Sequence, residues 1–226
     1  MTDTTLSDHV VLVTGAANGI GAAVAKAYAA SGATLILLDK DVSGLEATYD
    51  AIYPAYAKPA IYPLDLKGAG VNDYAEMIAT IAFHFGRLDT LIHCAATLGQ
   101  LAPFEHQDPQ AWAETLHINL TAPFLLTQAC LPLMKKQTQA TILFTTDEHK
   151  DKAYWSGYGI GKAGIEALVK QLQDEFEAQG HIQVHCIDPG QVQSQLFSQA
   201  FPALNPNDFP LPDAATSPYL AKLKAN

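Results

Sequence analysis

Thr14-Gly15-Ala16-Ala17-Asn18-Gly19-Ile20-Gly21 is the stretch on which the reading of this chain turns. It follows the apolar run His9-Val10-Val11-Leu12-Val13, whose length and β-branching suit a buried parallel strand. After it comes an alanine-rich segment, Ala22 to Ala30, of helix-forming composition. A strand that turns through glycines into a helix N-terminus aims backbone N–H groups at an anion, and the helix dipole adds to the attraction. Gly15 permits the tight turn, Gly19 removes a Cβ where a diphosphate would approach, and Gly21 lets helix and strand pack closely. Asn18 and Ile20 complete the cradle. Glycine-rich turns also arise for purely structural reasons, so the loop needs a second signal.

The next strand supplies it. Thr34-Leu35-Ile36-Leu37-Leu38 ends in Asp39, eighteen positions after Gly21. A carboxylate there can accept hydrogen bonds from an adenosine ribose and would repel a 2′-phosphate. With no Arg or Lys inside the glycine loop, the pattern favours NAD over NADP. Lys40 softens that preference without reversing it.

The length of 226 residues suits one α/β domain over 1–226 with a large core. Charged residues at 16% and hydrophobic ones at 49% describe an ordinary globular chain. A formal net charge of −10, with no basic cluster, excludes a nucleic-acid surface. Met1 to Asp8 is polar with no leader pattern, and no apolar run approaches a membrane span, so a cytoplasmic protein is expected. Cys94, Cys130 and Cys186 lie far apart in apolar surroundings and read as reduced, buried thiols. His93-Cys94 and His185-Cys186 invite a metal reading. Neighbours on a strand point to opposite faces, however, so core packing is favoured and no metal is expected.

Apolar runs at about 9–14, 34–39, 60–63, 88–94, 140–146 and 182–188 alternate with helical patterns near 19–31, 43–56, 70–85, 109–136 and 154–179. That order predicts a doubly wound parallel sheet. After Gly190 prolines crowd the chain; 191–216 reads as an irregular lid, and Ser217 to Lys224 as one short helix.

Tyr158-Gly159-Ile160-Gly161-Lys162 places a phenol and an ammonium four apart, hence on one helix face. An adjacent cation favours the phenolate, so such a tyrosine can exchange a proton with an alcohol or carbonyl while a hydride moves. Ile165, Leu168, Val169, Leu172 and Phe176 also give this helix a core stripe, to which Tyr158 could simply belong.

Taken together, these residues resemble the short-chain dehydrogenase/reductase family from about residue 8 to 195. The likeness rests on Gly15, Gly19 and Gly21, the ribose acid Asp39, the adenine-side pair Asp65-Leu66, and Tyr158 with Lys162. It implies that Asn119 holds a water linked to the lysine, the bland alternative being a polar residue at a helix boundary. It also implies that Pro189, Gly190, Val192 and Ser194, in a segment like P-G-x-V-x-T, bracket the nicotinamide. The expected fold is then a single Rossmann-like sheet, six strands in order 3-2-1-4-5-6.

Three departures stand out. The family's Asn-Asn-Ala-Gly is His93-Cys94-Ala95-Ala96, which keeps Ala95 but loses the glycine. The catalytic serine is missing from Thr145-Thr146-Asp147: spacing back from Tyr158 points to Thr145, strand alignment to Asp147. An ionised Asp147 would raise the phenol's pKa, a protonated one could donate to a carbonyl, and an outward-turned one would only cap the loop. No apolar run remains for a seventh strand.

The resemblance implies an NAD(H)-dependent oxidoreductase interconverting a secondary alcohol and a ketone, with Tyr158 as general acid/base. The alternative is a nucleotide-binding protein with little or no catalysis. Leu196, Phe197, Phe201, Phe209 and Leu211, with Leu98, Leu101 and Phe104, suggest an apolar small-molecule substrate or simply the core of a closed lid. Relatives assemble through the helices near 109–136 and 154–179, so a homodimer or homotetramer is expected through Ala163, Ala167, Leu126 and Leu133.

Overall fold

The computed structural model describes residues 6–222. Its centre is a six-stranded parallel sheet in the order β3-β2-β1-β4-β5-β6, as expected. The strands are β1 (Val10–Thr14), β2 (Thr34–Asp39), β3 (Ala60–Pro63), β4 (Thr90–His93), β5 (Ala140–Thr145) and β6 (Ile182–Ile187). β1 lies between β2 and β4, with Leu12 opposite Ile36 on one side and Leu91 on the other. Near-continuous apolar runs fit a sheet covered on both faces.

Helices α1 (Gly19–Ala30) and α2 (Val42–Ile52) close one face, and α3 (Val71–Phe85), α5 (Ala122–Met134) and α6 (Ser156–Glu177) the other. Alternate strand residues divide between the two cores: Val11, Val13 and Leu143 pack toward α1, Leu12, Ile142 and Phe144 toward α5 and α6. A buried carboxylate ties two strands at their N-terminal ends. Asp89 accepts from the Val10 N–H at 2.9 Å and takes both Nε (2.9 Å) and Nη2 (2.7 Å) of Arg87.

The long helix expected over 109–136 is interrupted. α4 (Pro109–Leu116) passes through a π-helical turn, His117–Thr121, into α5. Pro123 explains part of this: it has no N–H to give the Asn119 carbonyl, its i−4 partner in a regular helix. Such turns often mark functional sites. Beyond β6 the chain forms a helix that composition did not suggest, α7 (Gln195–Ala200), and ends in the brief α8 (Ser217–Leu220). Leu223 and Lys224, expected in that last helix, lie outside the described residues.

One expectation is corrected. Leu126 and Leu133 do not face outward; they are buried in the core shared with Met77 and Ile81 of α3. The outward residues of these helices include Phe124 and Ile160, about half exposed, along with Ala163 and Ala167. The three cysteines are free, but only Cys130 is buried, Cys94 and Cys186 being half-buried. Among the described residues no His, Cys, Asp or Glu group could hold a metal, and no helix is long and apolar enough to cross a membrane.

The glycine turn fixes where α1 can begin. A Cβ on Gly21 would sit 2.1 Å from the Gly15 carbonyl oxygen, a backbone clash that no rotamer relieves. Gly21→Ala should therefore cost about 3 kcal/mol or more, lowering the thermal midpoint by roughly 6–12 °C for a chain of this size. A shift below about 2 °C in differential scanning calorimetry would show that helix and strand can part at little cost.

Candidate active site

Parallel strands present all their C-terminal ends at one edge, and there the loops after β1, β2, β3, β4, β5 and β6 surround a cleft of about 390 Å3. Gly15, Asn18, Gly19, Ile20 and Gly21 form one wall. Gly15 and Gly19 have φ of 69° and 54°, in the left-handed region open to glycine. No side chain caps the N-terminus of α1, so its first N–H groups are left for a ligand. Asp39, ending β2, accepts from the Ala17 N–H at 3.2 Å and the Asp41 N–H at 3.1 Å. Each carboxylate oxygen keeps a lone pair for a ribose hydroxyl. Asp65 and Leu66 follow β3 on the same wall, Asp65 turning its Oδ1 to the Lys67 N–H at 3.0 Å.

β1 and β4 are joined above the sheet by Thr14, whose buried hydroxyl accepts from the N–H groups of Cys94 and Ala95, each at 3.2 Å. The approach is close enough that a Cβ on Gly15 would fall 2.7 Å from the Ala95 nitrogen. Pro189, Gly190, Val192 and Ser194 bound the opposite side, with Ser194 accepting from the Phe197 N–H at 3.0 Å as the N-cap of α7. A glycine-lined cradle, an uncapped helix N-terminus and a carboxylate at the next strand end together fit a dinucleotide.

α6 carries Tyr158 and Lys162, both buried, into the lining of the cleft. The Tyr158 hydroxyl donates to Asp147 Oδ2 at 2.8 Å. Lys162 Nζ donates to the Thr145 carbonyl at 2.8 Å and stands 5.5 Å from the centre of the Tyr158 ring. Burial and then the Asp147 charge push the Tyr158 hydroxyl well above the ordinary phenol value, opposite to the effect expected of the lysine. Burial also lowers the Lys162 ammonium.

Thr145 and Asp147 diverge. The Thr145 hydroxyl pairs with the Tyr219 hydroxyl at 2.8 Å and approaches Cys94 Sγ at 3.4 Å, on the α1 side of the sheet. Thr146, on the other face, donates to Glu166 at 3.0 Å. Asp147 faces Tyr158 and caps its own loop at once, Oδ1 accepting from the His149 N–H at 2.8 Å.

Of the sequence-predicted site residues only Asn119 lies outside the cleft lining. Its side-chain amide is engaged in both directions with the Thr97 backbone, accepting at 2.9 Å and donating at 2.8 Å. The π turn is thereby locked to the loop after β4. His93 is buried, stacked on Phe144 at 4.5 Å, and paired with the Thr127 hydroxyl at 2.9 Å. Burial and Lys162 lower its pKa to about 3, so it is a neutral core residue. Among the apolar side chains expected at the substrate site, Leu98, Leu196, Phe197 and Phe201 line the cleft and Phe209 packs on Phe197 at 4.5 Å. Phe104 and Leu211 instead face solvent, 91% and 60% exposed.

Sequence reasoning passed over His149 and Trp155. His149 Nδ1 lies 2.7 Å from Asp147 Oδ1, and its ring stacks on Trp155 at 4.1 Å. A histidine two positions after the acidic residue was the available signal.

Residues 9–205 match the short chain dehydrogenase family. The uncharacterized oxidoreductase YciK of Escherichia coli is 34% identical over 218 residues, covering 95% of this chain and 86% of that protein. D-threitol dehydrogenase of Mycolicibacterium smegmatis is 33% identical over 88% of this chain and 76% of its own length. A structure from Escherichia coli CFT073, complexed with NADPH, superposes with a TM-score of 0.93 at 34% identity, covering 97% of this chain and 92% of that one.

Burial pushes the hydroxyls of Tyr28, Tyr158 and Tyr219 well above the ordinary phenol value, and that of Tyr74 up to about 12. Raised folded-state pKa values favour the protonated form. Their stabilisation is complete below the unfolded value of about 10 and is lost as pH rises through the folded values. The thermal midpoint should hold up to about pH 9–10 and then fall steeply. Tyrosinate absorbance from these four residues should appear only with unfolding; its appearance in folded protein near the ordinary phenol value would contradict the burial argument.

Proposed function

Because the chain belongs to the short-chain dehydrogenase family, we propose that it is an NAD(H)-dependent oxidoreductase interconverting a secondary alcohol and a ketone. The observation that carries this reading is the Tyr158 hydroxyl, buried in the cleft between the glycine turn and the lid and hydrogen-bonded to Asp147. A nicotinamide bound in the cleft supplies or accepts the hydride. Tyr158 gives a proton to the carbonyl oxygen in reduction and takes it back in oxidation. Lys162, held on the Thr145 carbonyl, is placed to bind the nicotinamide ribose, and Asn119 acts by holding the π turn and the loop after β4 together. Asp147 takes the place of the family's serine, since Thr145 is turned to Tyr219.

Asp39 supports NAD over NADP, because a 2′-phosphate would meet a carboxylate already fixed by two backbone N–H groups. The NADPH-complexed neighbour is the counterweight. Residues 191–216 act as a lid on one domain spanning 1–226. The walls of Leu98, Leu196, Phe197 and Phe201 suit an apolar substrate. The location we propose is cytoplasmic, in keeping with three free thiols.

Thermal shift with each nucleotide tests the cofactor. At a hundred times its dissociation constant, NADH should add about 2.7 kcal/mol, with NADPH adding less and Asp39→Ala narrowing the gap. Tyr158→Phe should then lower kcat by roughly 10²–10⁴-fold while nucleotide binding persists. Tight binding with no turnover, indifferent to Tyr158→Phe, would instead support a nucleotide-binding protein with little catalysis.

A homodimer or homotetramer through the outer faces of α5 and α6 accords with the exposed Phe124, Ile160, Ala163 and Ala167. Light scattering should give at least a dimer at micromolar concentration, and Phe124→Lys combined with Ile160→Lys should release monomer. A monomeric wild type would end that proposal.

A further inference from the structure

Asp147 has two oxygens and two side-chain partners. Oδ2 accepts from Tyr158 at 2.8 Å, and Oδ1 lies 2.7 Å from His149 Nδ1. The imidazole and the catalytic phenol are thus joined through one carboxyl group. At that separation a proton lies between Nδ1 and Oδ1, and beside an ionised Asp147 it is carried on His149 Nδ1, in the neutral ring and in the imidazolium alike.

The scaffold around His149 is built to hold it there. Residues 148–151 form a 3₁₀ turn laid on α6 at Gly159, where a Cβ would come within 3.1 Å of the His149 carbonyl oxygen. Trp155 stacks on the imidazole at 4.1 Å, and Phe201 from the lid approaches at 5.6 Å. Tyr154 and Ser156, on either side of Trp155, both adopt the left-handed region, with φ of 73° and 46°. Residues other than glycine hold such angles only where their surroundings impose them. The Ser156 hydroxyl is hydrogen-bonded to Gln107.

Most other charges near this imidazole are engaged elsewhere. In its own turn Lys150 pairs with Glu166 of α6 at 2.9 Å, Lys152 with Asp151 at 3.3 Å, and Glu148 accepts from Gln191 at 3.1 Å. From α6, Lys162 is held on the Thr145 carbonyl and Tyr158 on Asp147; after β6, Asp188 accepts from the Gly190 N–H. The lid contributes Phe201, which has no charge. Asp147 is the charge set directly against His149.

We propose that His149 is a positioning residue for proton transfer at Tyr158: its imidazolium form offsets the Asp147 charge and so sets how readily the phenol gives up its proton. The inference rests on the oxidoreductase reading above. In reduction the carbonyl carbon gains hydride, the C=O π pair moves onto oxygen, and that oxygen takes the Tyr158 proton as the phenol O–H bond breaks. The phenolate so formed faces Asp147. Two adjacent anions oppose the step, whereas a carboxylate paired with imidazolium is neutral overall. Solvent then returns one proton to the phenolate, and His149 keeps its own throughout. Proton donation should therefore weaken as rising pH removes the imidazolium charge.

Two readouts test this. In the protein without nucleotide, NMR can follow the His149 imidazole and the Tyr158 ring carbon bearing the hydroxyl. The Tyr158 signal should move at the His149 midpoint. That movement should vanish in His149→Asn, whose amide can keep the hydrogen bond without the charge. In turnover, kcat/KM for carbonyl reduction should show an ionisation at the midpoint read from the imidazole signal, lost in His149→Asn. Placed on an Asp147→Ser background, His149→Asn should have no further effect. A Tyr158 signal blind to His149, or an unchanged pH profile in an active His149→Asn enzyme, would overturn the proposal. Intact coupling in a protein that turns over no carbonyl compound would instead overturn the oxidoreductase reading.

Discussion

The contact on which this molecule depends is the one between the turn after β1 and the first turn of α1. With 2.1 Å separating an imagined Gly21 Cβ from the Gly15 oxygen, the helix can sit there only without a side chain. That closeness sets the angle at which α1 leaves the sheet, and so where its unsatisfied N–H groups point. Thr14 extends the constraint sideways, its hydroxyl holding the loop after β4 through two N–H groups. The cleft is therefore a consequence of strand order and one crowded turn.

The parts of this arrangement that obey local rules were legible in the sequence. Strand positions followed from apolar runs, the parallel sheet from the alternation of elements, its strand order from the family resemblance, and the glycine wall of the cleft from glycine spacing. What failed to show was set by distant neighbours. Leu126 and Leu133 look like surface residues when a helix is assigned an outward face by analogy; only the packing of α3 shows that this stripe is core. The break in the 109–136 helix needs Pro123 to be read against Asn119, four residues back. The amide of Asn119 then turns to Thr97, a partner 22 positions away that no pattern names.

Electrostatics shows the same division. Tyr158 and Lys162 at four-residue spacing suggest a phenol eased toward ionisation. Folding adds two larger effects, burial of the hydroxyl and a carboxylate at hydrogen-bond distance, and both oppose ionisation. The ammonium lies over the ring and is spent on a backbone carbonyl. Residue types thus predict which groups meet, while the sign of the resulting shift depends on solvent exclusion and on which oxygen each proton faces.

The ambiguity between Thr145 and Asp147 is resolved from the far end of the chain. Tyr219 of α8 is fully buried; its hydroxyl holds the Thr145 hydroxyl at 2.8 Å, and its carbonyl accepts from Tyr28 of α1 at 3.0 Å. The residues of α8 thus return beneath the site and occupy the face toward which Thr145 points. Strand alternation dictates that face, so Thr145 could reach Tyr158 only if β5 slipped by one residue. Such a slip would turn Phe144 and Ile142 out of their core. Asp147 lies past the end of β5, where the backbone is no longer bound by the sheet's alternation. It can face Tyr158 and His149 at no cost to the core, which is why the acidic residue, and not the threonine, stands beside the phenol.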